Sequence, residues 1–247
     1  MSTSISPAST ILAVDTSTGW CAVGVCRVEA APSSPSIRIC SEVVVDGGRL
    51  HAERLFSLID HVLCDSGVAL EALSLLAVTT GPGSFTGLRI GVSAMQGLAL
   101  ARGLPLVGVP TLDALVHAAA PADGLVVPLL DARMGEVFGA FYRMTAAGPE
   151  KLGEDRVGPV GRLLEQMPSG GESAVFIGDG ADRYAAEIRS ALPNARIVPP
   201  PGNTPRASFV ALEAARRRAA GAPTDPAQAV PVYLRKAQAE IPRGGKP

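Results

Sequence analysis

Three histidines in 247 residues leave little material for a metal centre. His51 and His61 stand about three helical turns apart, too far along one helix to hold one ion. Glu53 offers a carboxylate with no near partner, and His117 sits in an alanine-rich stretch with no nucleophile beside it. Cysteine is also sparse. Cys21, Cys26, Cys40 and Cys64 show no Cys-x-x-Cys spacing, which suits scattered thiols in a reducing compartment. Positive charge has no excess: the net charge is -1, which argues against a broad basic surface for nucleic acid. The run Arg216-Arg217-Arg218 lies near a helix C-terminus, where positive charge suits the dipole, and RNA contact through it stays open. No apolar run reaches the length of a membrane span. Met1 to Thr10 lacks the positive charge and apolar core of a signal peptide. A cytoplasmic protein without a membrane partner is expected. No Gly-Lys-Ser/Thr ending and no Gly-x-Ser-x-Gly elbow occurs around the glycine-rich stretch, so neither a P-loop nor a hydrolase elbow is present there.

What the chain does have is the stretch Thr80-Gly81-Pro82-Gly83-Ser84-Phe85-Thr86-Gly87-Leu88-Arg89-Ile90-Gly91. An apolar strand pattern, Leu75 to Val78, leads into it, and a helical pattern leaves it. Gly81 and Gly83 permit a tight turn, and Ser84 or Thr86 suits a helix N-cap. Leu88, Val92, Met95 and Ala99 then recur at helical spacing, beside a small-residue set of Gly87, Gly91 and Ala94. An anion cradle and a purely structural turn are both compatible with this pattern.

The rest of the chain reads as an α/β protein. Strands are expected over 11–14, 20–28, 37–45, 75–78, 104–109, 126–130, 136–143, 175–177 and 197–198. Helices are expected over 51–64, 84–102, 112–119 (capped by Thr111), 161–167, 181–192 and 207–220. Residues 146–156 read as a polar connection. The order strand, aspartate, polar turn, strand occurs at Asp15 and again at Asp131, which points to two similar lobes. The expected division is a flexible start over 1–10, a first lobe over 11–121, a smaller second lobe over 122–234 and a flexible tail over 235–247. Part of the last segment of the second lobe is free to return to the first.

Candidate chemistry is thin. Asp15 and Asp131 can hold a metal–nucleotide complex across a cleft, or close turns through backbone bonds. Thr16, Ser17 and Thr18 can donate to a phosphate, but no lysine lies near them. Helix 51–64 carries an apolar stripe of Leu55, Leu58, Ile59, Val62 and Leu63. Helix 84–102 has a large apolar and a small-residue side. A second apolar face needs a second partner, a copy of the chain or a homologous subunit, unless both faces are used inside the lobe.

Several segments together resemble one family: Ile11-Leu12-Ala13-Val14-Asp15-Thr16-Ser17-Thr18, His51-Ala52-Glu53-Arg54, Gly81 to Gly91, Pro105-Leu106-Val107-Gly108-Val109, Asp131-Ala132-Arg133-Met134-Gly135-Glu136-Val137 and Val232-Tyr233-Leu234-Arg235. They resemble the TsaB (YeaZ-like) family, the noncatalytic subunit of bacterial tRNA threonylcarbamoyladenosine (t6A) synthesis. The match is dense from residue 11 to about 140 and thin between 145 and 228. The resemblance implies a two-lobed fold of the actin-like, sugar-kinase and heat-shock-ATPase (ASKHA) class with ribonuclease H-like lobes. It implies a chain that binds and activates TsaD, which transfers threonylcarbamoyl to N6 of adenosine 37 in tRNAs reading ANN codons. TsaE, an ATPase, would join the pair, tRNA would be met only through the complex, and the chain alone would form a homodimer. TsaD carries a metal-binding His-x-x-x-His. The corresponding positions here are Thr111 and Leu115, which cannot replace imidazoles. No cofactor of its own is expected: ATP and metal belong to the partner subunits, with weak nucleotide binding left open.

The resemblance makes Leu55, Leu58, Ile59, Gly87, Gly91, Ala94 and Met95 the interface candidates. Asp15, Thr16, Ser17, Gly81, Gly83, Ser84 and Asp131 become structural or vestigial phosphate-loop candidates. The alternative is an ATP-dependent small-molecule kinase, an ATPase or a peptidase-like enzyme of the same superfamily, with Asp15, Asp131 and Gly178 to Gly180 framing a nucleotide.

Overall fold

The computed structural model describes residues 9–29, 36–46, 51–119, 124–168 and 173–235. Two mixed sheets organise the chain. In the first, β1 (Ser9–Asp15), β2 (Trp20–Glu29), β3 (Ser36–Asp46), β4 (Leu75–Gly81) and β5 (Leu106–Pro110) lie in the order β3-β2-β1-β4-β5. β1, β2 and β3 run antiparallel, and β1, β4 and β5 run parallel. The second sheet repeats this plan with β6 (Gly124–Arg133), β7 (Glu136–Gly139), β10 (Arg156–Gly158), β11 (Val175–Ile177) and β12 (Arg196–Ile197), in the order β10-β7-β6-β11-β12. Again one side is antiparallel and the other parallel. A short hairpin, β8 (Tyr142–Thr145) and β9 (Gly148–Lys151), pairs with the first residues of β6.

Period-two alternation splits each strand between two cores. Leu12 and Val14 of β1 face α1 (His51–Ser66) and α2 (Phe85–Arg102). Ile11 and Ala13 face the opposite way, towards α7 (Ala207–Ala219). Both faces are covered, so β1 and β4 read as unbroken apolar runs rather than alternating ones. α7 meets the sheet with Ala207, Val210, Ala211 and Ala214, small enough for close approach over Gly24. In the second sheet one face packs on α3 (Thr111–Leu115) and the 3-10 turn Val116–Ala119. The other packs on α4 (Val160–Glu165), α5 (Asp179–Arg183) and α6 (Ala185–Ala191). The sheets therefore exchange helices: α3 precedes the second sheet in sequence but packs on it, and α7 follows that sheet but packs on the first.

Several local expectations are corrected. Thr111 is the first residue of α3 and not its cap, and its buried hydroxyl has no hydrogen-bond partner among the described residues. The strand over 136–143 is broken, because β7 and β8 pair with different parts of β6. The polar connection contains β9 and ends on the first residue of β10. The helix over 181–192 breaks at Tyr184, whose φ of -106° is not helical. Of the ends expected to be flexible, Ser9 and Thr10 belong to β1, while residues 1–8 and 236–247 lie outside the described set, as does the stretch 169–172, whose sequence reads as a loop.

Charges clasp the two sheets together at α7. His117 Nε2 lies 2.9 Å from Glu213 Oε2, with both side chains buried, and Arg216 reaches the same oxygen at 2.8 Å. Alongside, Asp113 of α3 accepts from Lys151 at 2.8 Å and from the Tyr142 hydroxyl, and pairs with Arg217 at 3.4 Å. Burial opposes the charge on Lys151, but Asp113 and Asp155 outweigh it and hold its pKa above the usual lysine value. Removing one partner of a buried pair strands the other. Glu213→Ala is therefore expected to cost about 3 kcal/mol, read as a lower midpoint in urea unfolding.

Candidate functional site

The glycine-rich segment joins β4 to α2, and its glycines serve the chain's own backbone. Gly81 and Gly83 have φ of 114° and 156°, the region open to glycine. A Cβ on Gly83 would strike the Ser17 carbonyl, one on Gly87 the Thr16 carbonyl, and one on Gly91 the Thr16 hydroxyl. The turn after β1 thus lies directly on the start of α2. Ser84 N–H donates to Ser17 O at 2.6 Å, and Thr16 Oγ1 donates to Gly87 O at 2.8 Å. Ser84 is the N-cap, its Oγ accepting from Gly87 N–H at 3.3 Å. At the other end Gly103, with φ of 64°, closes the helix.

Asp15 is buried, and its Oδ1 accepts from Ser17 N–H at 2.8 Å, Ser17 Oγ at 2.6 Å and Thr79 Oγ1 at 3.1 Å. The donors that a phosphate would need here are taken up by the chain itself: Thr16 Oγ1 by the Gly87 carbonyl, Ser17 N–H and Oγ by Asp15, and Ser84 N–H by the Ser17 carbonyl. The second sheet repeats the device. A Cβ on Gly178 or Gly180, at the start of α5, would strike the backbone of Leu129 and Leu130. Asp131 Oδ1 accepts from Arg133 N–H at 2.9 Å, the same two-residue turn that Asp15 makes with Ser17. Asp179 Oδ1 accepts from Asp131 N–H at 2.9 Å. Burial, with the Asp131 carboxylate adding to it, pushes the Asp179 carboxyl above its usual range.

Thr111 and Leu115 are both buried on α3 beside Leu130 and Phe209, in a hollow that Asp15 and Arg206 also border. Among the described residues no three His, Cys, Asp or Glu side chains cluster as metal ligands would. His61 is exposed on α1, and the side chain of His51 lies outside the described set.

The interface candidates divide. Leu55, Ile59 and Met95 are core residues under the sheet, and Gly87 and Gly91 are covered by Thr16. These five offer no surface, because the stripes that carry them are the ones that seat α1 and α2. Leu58 and Ala94 are half-buried at the edge of that core. The outer faces carry other residues. Phe56 on α1 is 54% exposed and Leu100 on α2 is 75% exposed. On the same stripe of α2 as Leu100, Thr86, Ser93 and Gly97 are exposed and Ile90 is half-buried. A Cβ on Gly97 would meet nothing. Periodicity does not single out this face because apart from Arg89, Gln96 and Arg102 α2 is made almost wholly of apolar or small residues. Leu100, about a third of a turn round the helix from the stripe of Leu88, Val92, Met95 and Ala99, was the signal available.

Comparison with known proteins gives consistent relatives. The chain matches the family described as TsaD, tRNA N6-adenosine threonylcarbamoyltransferase, over residues 45–243. It is 37% identical over 140 residues to the tRNA threonylcarbamoyladenosine biosynthesis protein TsaB of Escherichia coli K12, covering 56% of this chain and 57% of that one. It is 28% identical over 232 residues to the protein of the same name from Bacillus subtilis 168, covering 94% and 96%. Among solved structures, YeaZ from Pseudomonas aeruginosa superposes with a TM-score of 0.75 at 30% identity, covering 92% of this chain and all (100%) of that one.

The two helix glycines should respond in opposite ways. Gly87→Ala should cost about 3 kcal/mol in urea unfolding, because backbone blocks its Cβ. Gly97→Ala, in open space, should stabilise by up to about 1 kcal/mol. Asp179→Asn keeps an acceptor but cannot ionise. A carboxyl whose folded pKa is raised contributes stability below its unfolded pKa and loses it as pH rises through the folded one. Asp179→Asn should therefore melt higher than wild type at neutral pH, and the difference should vanish near the ordinary carboxyl pKa.

Proposed function

The chain belongs to the TsaB/YeaZ family, and on that premise we propose that it is the noncatalytic partner of a TsaD-type threonylcarbamoyltransferase in t6A synthesis. It binds and activates that enzyme, supports modification of adenosine 37 in tRNAs reading ANN codons, and meets tRNA and a TsaE-type ATPase through the assembly. Alone, it pairs with itself. The observation that carries this reading is the outer face of α1 and α2, where Phe56, Leu100 and small residues stand in the open on two adjacent helices. Small exposed side chains let a second helix pair approach closely, and large ones flank the contact. A homologous subunit or a second copy, presenting a similar helix pair, fits such a face.

The two sheets with equal strand order and direction support two ribonuclease H-like lobes in an ASKHA arrangement. The helix over 207–219 is assigned to the first lobe despite its place in sequence. Asp15, Thr16, Ser17, Gly81, Gly83, Ser84 and Asp131 form structural turns that hold the helix starts. Thr111 and Leu115 give no ligands for a metal. The enzyme alternative loses its nucleotide frame, since Gly178 to Gly180 pack on β6 and Asp15 and Asp131 are engaged by their own turns.

Gly97→Arg and Leu100→Arg test the face. Both should fold with stability within about 0.5 kcal/mol of wild type or better, since the sites are exposed. Both should weaken capture of TsaD at least about tenfold and lower t6A formation by the reconstituted mixture in step. Normal capture by both variants places the interface elsewhere.

A further inference from the structure

The segment 232–235 has no secondary structure of its own, yet four consecutive residues grip different halves of the molecule. Val232 N–H donates to Thr80 O at 2.7 Å, and its carbonyl occupies the space left by the missing Cβ of Gly81. The Tyr233 ring lies 4.7 Å from that of Phe85, in the first turn of α2. Its hydroxyl accepts from Arg89 Nε at 3.1 Å, while the Arg89 guanidinium lies 3.8 Å above Phe85. Those contacts all belong to the first sheet and α2. The next two residues turn to the second sheet. Leu234 packs into the core that holds Phe138 and Leu130. Arg235 Nη1 donates to Ala132 O at 3.3 Å and pairs with Glu136 at 3.3 Å, and its Nη2 lies 2.9 Å from Met134 Sδ.

The hairpin it grips is strained. Arg133 and Met134 have φ of 64° and 55°, left-handed values that non-glycine residues seldom adopt. Met134 is nevertheless 70% exposed, so core packing does not hold it there. Strain of this kind persists where surrounding contacts impose it and concentrates at sites that work. The contacts on this hairpin include those of Arg235 and that of Asp131, which accepts from Arg133 N–H and pairs with its guanidinium at 3.3 Å.

We propose that residues 232–235 form a strap that couples the two lobes, tying the start of α2 to the β6–β7 hairpin so that the two move as one. The strap shares no residue with the charged clasp around Glu213, so it is a tie of its own between the lobes. Apart from Leu234, the strap is held by polar and aromatic contacts of exposed or half-buried residues, which open more readily than a packed core. It bears on function because α2 also carries the outer face: the strap would report the lobe angle to that face. This last step rests on the partner-binding reading, whereas the coupling itself does not.

Hydrogen exchange on the full chain, without any partner, tests the coupling by cross-effects. Arg235→Ala should speed exchange in residues 84–90, on the lobe that Arg235 does not touch. Tyr233→Ala should speed exchange in residues 131–137, on the lobe that Tyr233 does not touch. The shift should be at least severalfold, with the interiors of β1, β4 and β11 unchanged. Arg235→Lys, which keeps the charge towards Glu136, should restore part of the protection at 84–90. If each variant loosens only its own side, the segment lies across the lobes without coupling them and the proposal fails. Loss of protection throughout both sheets also overturns it, since the segment would then be a core element. Normal capture by the Gly97→Arg and Leu100→Arg variants would sink the partner reading and leave this result standing.

Discussion

The close contact between the Thr16–Ser17 turn and the first turns of α2 governs the geometry of the first lobe and of the surface it presents. It exists because Gly83, Gly87 and Gly91 carry no side chain. With the turn seated there, Ser84 N–H and Thr16 Oγ1 find partners across the contact and the rotation of α2 about its own axis is fixed. That rotation directs Leu88, Val92 and Met95 into the sheet and leaves Ser93, Gly97 and Leu100 outside. The outer face is thus a consequence of packing on the inner one. The second lobe uses the same solution with Gly178 and Gly180 against Leu129 and Leu130. Two glycine-bearing helix starts, each set on an aspartate-closed strand end, give the molecule its internal likeness even where the residues differ.

Where one physical signal dominated, the sequence was a good guide. Unbroken apolar runs before Asp15 and Gly81 marked β1 and β4, and Ser84 and Gly103 delimit α2. The glycine-rich motif also marked itself as the centre of the first lobe. What it approached was not legible, since a glycine kept for a phosphate and one kept for a neighbouring carbonyl look the same in one dimension. The small-residue set Gly87 and Gly91 invited an intermolecular reading, and the partner proved to be the chain's own Thr16. β9 and β10 were missed because short, half-exposed strands with glycine and charge carry little periodicity, and pairing with β8 and β7 supplies what local propensity does not. Tyr142 looked like part of one strand with Val137 and Phe138, since only the three-dimensional position of β6 decides where β7 ends and β8 begins.

Burial alone did not turn Asp15 and Asp131 into chemical groups. Each is the last acidic residue of an apolar strand, a place where many proteins set a catalytic carboxylate. Here each closes a two-residue turn, and their neighbours reinforce that use: Thr79 beside Asp15, and Arg133 with Arg183 beside Asp131. Asp179 shows the cost of the arrangement, a carboxyl held beside that of Asp131 and pushed above its usual range. Its Oδ1 is the acceptor for the Asp131 N–H.

The exchange of helices between the sheets bears on whether either half could exist alone. A fragment ending at Ala119 would keep the first sheet but lose α7, baring Ile11, Ala13, Ala22 and Val107 along one whole face. The complementary fragment would keep the second sheet and lose Leu112, Leu115 and Val116 from its core. Each piece carries the other's missing wall. A chain severed between Ala119 and Gly124 would therefore yield two parts that recognise each other, with most of the specificity for reassembly already written in α3 and α7.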